Sequence, residues 1–84
     1  MSSKSRLQNL SKLTESTGWK QIVAVMEEEI VKSAMSIAES PKMDLEEINF
    51  RRGAIWAAKQ LLEMPNRLKI RYENDIALEK VDEN

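Results

Sequence analysis

Residues 44–65 read DLEEINFRRGAIWAAKQLLEMP, and their spacing decides the fold. Asp44 stands three residues before Glu47, the pattern of a helix capping box with Asp in the usual Ser or Thr position. Met43 and Ile48 fall where a hydrophobic staple packs across such a cap. Beyond it Phe50, Ala54, Ala57, Leu61 and Met64 recur at steps of four and three, a heptad-like seam that stops at Pro65. A helix over residues 45–64 is predicted. The same helix carries a second apolar stripe, Ile48, Ile55, Ala58 and Leu62, on another face.

Upstream, Trp19, Ile22, Val23, Met26, Ile30, Ala34 and Ile37 also recur at steps of three or four. At about 100° per residue they fall within about 60° either side of one line, which predicts a helix over residues 16–38. Thr14, Ser16 and Thr17 are the candidate caps for its start. Ser40 before Pro41 marks its end, because the residue preceding a proline is driven out of the α region. Here too a second stripe is present, Ala24, Val31, Met35 and Ala38. Two such helices with a short connection make an antiparallel αα-hairpin. Trp19 is expected in its core, facing Leu61 and Met64 and closing its open end. A lone hairpin buries one stripe of each helix, so the second stripes call for a third helix or a second copy of the chain.

The remaining segments are shorter. Leu68, Tyr72 and Ile76 predict a third helix over residues 66–80, although Leu68–Tyr72 also alternates as a strand does. Leu7, Leu10 and Leu13 suit a short amphipathic helix in a basic N-terminal segment, residues 1–13. Residues 81–84 read as a frayed acidic tail. The expectation is one small all-α domain over residues 1–84 that packs into a helical oligomer.

Composition excludes much of chemistry. The 84 residues contain no histidine and no cysteine, so the usual zinc and haem sites, disulfides, thiol catalysis and imidazole catalysis are not available. Glu27, Glu28 and Glu29 are consecutive, and helical neighbours point about 100° apart, so they do not converge on one ion. Glu28 with Lys32, and Glu47 with Arg51, are spaced for surface ion pairs. Glu46 and Glu47 are accounted for by the cap and the helix dipole. No phosphate loop or nucleophile motif is present. The reading is therefore of a protein that is not an enzyme and has no cofactor, no metal and no small-molecule substrate. The longest apolar run, Ile22–Met26, is far too short to span a bilayer, and no signal segment precedes it, which gives a cytoplasmic expectation.

The formal net charge of −1 hides four blocks of alternating sign. Residues 1–20 are net positive and residues 21–50 net negative; residues 51–71 are positive and residues 72–84 negative. In a hairpin the acidic Glu27–Glu29 stretch is expected beside Arg51, Arg52 and Lys59, where pairing sets orientation more than stability. Arg51 and Arg52, with Arg67, Lys69, Arg71, Trp56 and Tyr72, form a basic patch interleaved with aromatics. The acidic blocks around it and a sequence pI near 5.5 argue against nucleic acid as the partner. Trp56 projects about 120° from the main seam beside Gly53, which suits either contact with a partner helix or burial beneath Leu68 or Tyr72 of the third helix.

The entry LTESTGWK (residues 13–20) and the stretch FRRGAIWAAKQLLEMP (residues 50–65) together resemble small helical-hairpin proteins of tailed bacteriophages, of the virion and assembly type. The marks are the early Trp19, the Arg-x-Gly at Arg51–Gly53 and the Leu-x-x-x-Pro at Leu61–Pro65, and the likeness covers residues 13–65. It implies a virion or assembly component that self-associates or docks on a larger structural protein. A phage-encoded inhibitor of a host defence or transcription protein is the alternative, and a nucleic-acid-binding accessory protein a weaker one. The expected location is the host cytoplasm, free or within a virion. The expected interface residues are Trp56, Gly53, Arg51, Arg52, Val31, Met35, Ile55 and Leu62, with Glu27, Glu28 and Glu29 as an acidic docking face.

Overall fold

The computed structural model describes residues 2–82, and within them the chain is all helix and turn, with no strand. Three helices follow one another: α1 (Ser3–Glu15), α2 (Thr17–Ala38) and α3 (Leu45–Asp82). The alternation at Leu68–Tyr72 is thus helical. The hairpin and the third helix are both present, but the third helix is α1, from the N-terminal segment. The two segments expected at 45–64 and 66–80 are one helix of 38 residues with Pro65 inside it. Of the tail expected at 81–84, residues 81 and 82 close α3, and residues 83 and 84 lie outside the described residues.

Local chemistry explains each boundary. Ser2 caps α1 by accepting the Ser5 N–H on its hydroxyl at 3.2 Å. Ser16 both ends α1 and starts α2. Its own N–H bonds the Leu13 carbonyl at 3.0 Å, its hydroxyl donates to the same carbonyl at 2.6 Å, and its Oγ accepts the Trp19 N–H at 3.1 Å. Of the three candidate caps it is the one used. At the start of α3 the Glu47 N–H donates to Asp44 Oδ1 at 2.8 Å, half of the expected box. The Glu47 carboxylate turns forward instead, to Arg51 at 2.8 Å.

The chain divides into two compact units, one of residues Gln21–Leu62 and one of the residues up to Lys20 with those from Glu63 onward. In the first, α2 and the start of α3 form the antiparallel hairpin, tied by the Arg51 guanidinium donating to Ser36 Oγ at 3.3 Å. In the second, α1 runs antiparallel to the later part of α3. There Lys69 Nζ donates to Thr14 Oγ1 at 3.4 Å, and the Arg6 guanidinium sits 5.9 Å above the Tyr72 ring.

On α2 the expected stripe faces inward in part. Trp19, Val23, Met26, Ile30 and Ile37 are half-buried, whereas Ile22 and Ala34 at its edges are exposed. On α3 the two stripes exchange roles. Ile48, Ile55, Ala58 and Leu62 are half-buried, while Phe50, Leu61 and Met64 stand 74%, 61% and 44% exposed. Leu61 and Met64, expected opposite Trp19, therefore do not close the hairpin. The inward stripe is longer than its aliphatic members suggest. Ile48, Arg51, Ile55, Ala58, Leu62, Pro65, Lys69, Tyr72 and Ile76 alternate steps of three and four without a break, and every one is half-buried or buried. Arg51 and Lys69 keep this register because their stems lie along the seam while their cationic heads reach hydroxyls across it. Pro65 falls in the same register and is the one buried residue among those described. In α1, Leu7 and Leu10 turn inward and Leu13 does not.

Candidate functional site

No aliphatic or aromatic side chain is buried among the described residues, and twelve large ones are exposed. A helix pair has room to cover only a narrow strip on each member, so the remaining apolar faces meet water. Within the hairpin unit three such surfaces bear on the expected interface, and Ile22, Val25 and Leu45 are exposed besides.

The first is the flank of α3 that carries Phe50, Ala54, Ala57 and Leu61, all exposed. The second is the outer side of α3, where Trp56, 65% exposed, stands one turn from Arg52 and Lys59. The burial of Trp56 beneath a third helix does not occur, since Leu68 and Tyr72 continue the same helix. Gly53 has nothing within 4 Å of where a Cβ would stand, so no element of the chain makes close use of it. The third surface is the outer side of α2, with Ala24, Val31 and Met35 exposed between the carboxylates of Glu27 and Glu28. A shallow depression lined by Ala24, Glu27, Glu28, Val31 and Lys32 lies there, and a second, lined by Asp44, Glu46, Glu47 and Phe50, lies at the start of α3. Each is formed by neighbouring turns of one helix and encloses no chamber for a small molecule.

The expected interface set is thus divided. Trp56, Gly53, Arg52, Val31 and Met35 are exposed. Ile55 and Leu62 face into the hairpin because they belong to the longer 3–4 register, and they are not on a free surface. Arg51 is half-buried and held by Glu47 and Ser36. Glu27, Glu28 and Glu29 are all exposed. The ion pair of Lys32 is with Glu29 at 3.7 Å, one position away from the expected Glu28, because i,i+3 and i,i+4 neighbours both lie within reach on a helix. The Arg51–Ser36 hydrogen bond sets those two residues opposite one another across the hairpin.

Among the described residues, no three His, Cys, Asp or Glu side chains gather as metal ligands do, and no helix is long and apolar enough to cross a membrane. The surface that aliphatic spacing misjudged is the α3 flank, expected as core and found exposed. The signal that would have found it is the unbroken 3–4 run through Arg51, Pro65 and Lys69. Comparison with protein-family models, with curated proteins and with solved structures found no match.

Proposed function

We propose that this chain is a non-enzymatic protein–protein interaction module that works as a subunit of a helical assembly. One observation carries this reading: the described residues contain no buried aliphatic or aromatic core, while large apolar side chains lie exposed along both helices of the hairpin. Burial of apolar surface is the main force holding a small domain together, and a chain of this size has little of it to spare. The missing burial is supplied by neighbours. Together with the resemblance over residues 13–65, this supports a small phage virion or assembly component that self-associates or docks on a larger structural protein.

Sedimentation equilibrium over a wide concentration range, with helix content followed by circular dichroism, tests the reading. A defined oligomer whose helicity falls on dilution is expected. A fully helical monomer at every concentration overturns it. The exposed carboxylates of Glu27, Glu28 and Glu29 favour a second reading, an inhibitor that docks its acidic face on a host protein. Affinity purification from infected cells separates the two, since a structural protein of the particle is recovered under the first and a host protein under the second.

A further inference from the structure

We draw no further inference here: the strongest candidate, the exposed flank of α3 that carries Phe50, Ala54, Ala57 and Leu61, has nothing in the structure to show what covers it, since the outer side of α2 presents an apolar stripe of the same kind.

Discussion

Replacing Pro65 by alanine tests the account of α3 as one helix. The proline has no N–H, so the Leu61 carbonyl lacks its intrahelical donor, and the ring crowds the preceding turn. A proline in a helix interior costs about 3 kcal/mol relative to alanine. That figure is measured against the unfolded chain and already includes the stiffness proline imposes there. Against it stands the burial of the ring, for Pro65 is the buried point of the inward seam. Alanine gives up two buried methylenes, about 1.6 kcal/mol in all. The helix term wins, and Pro65→Ala is expected to stabilise the protein by about 1 kcal/mol. Urea unfolding followed by circular dichroism at one fixed protein concentration reads this as a midpoint raised by roughly 0.5–1 M. Pro65→Gly restores the same donor but forgoes about 1 kcal/mol of helix propensity, so its midpoint should lie close to that of the parent chain. A lowered midpoint for the alanine variant refutes the reasoning: the ring would then hold the seam by more than its backbone cost, and residues 45–64 and 66–82 would be better regarded as two helices joined at a packed proline.

Ser16→Ala removes the acceptor for the Trp19 N–H and a donor to the Leu13 carbonyl, and is expected to lower stability by about 1–2 kcal/mol, read from the same unfolding curves. Asp44→Ala strips the Glu47 N–H of its partner and should cost about 1 kcal/mol, whereas Asp44→Asn, whose amide oxygen still accepts that N–H, should keep most of the stability. Ala57→Glu sets a carboxylate on the exposed apolar flank of α3 while leaving the hairpin interior untouched; under the proposed self-association, sedimentation should show a weakened oligomer, with helicity falling at micromolar concentration. Trp56→Ala removes an exposed side chain outside the hairpin interior, so the unfolding midpoint should move by less than about 0.5 kcal/mol equivalent.

The parts of the fold that were legible in the sequence are those governed by local chemistry. Asp44 ahead of Glu47 announced the start of α3, Pro41 closed off α2, and the spacing from Trp19 to Ile37 identified the inward side of that helix. What failed was the choice between two stripes on α3. Phe50, Ala54, Ala57, Leu61 and Met64 recur at regular steps of four and three, and that spacing favoured them over Ile48, Ile55, Ala58 and Leu62. The inward register was concealed because Arg51 and Lys69 occupy two of its positions, although a long stem with a charged head serves a shallow helix interface well. The same register passes through Pro65, so reading proline as a stop cut in two a run that continues to Ile76. Of the candidate surface, exposure of Trp56, Val31 and Met35 was legible; the turning inward of Ile55 and Leu62 was not.

The lack of a sealed interior among the described residues also bears on abundance, if the proposed assembly reading holds. In a self-sufficient domain, each copy carries its own protection from proteolysis. A subunit of the proposed kind would draw its protection from its partners, because proteases remove a chain at a rate set by its open population. Surplus subunits would then be short-lived and incorporated ones durable, and stoichiometry would be corrected after synthesis by the folding equilibrium of the subunit.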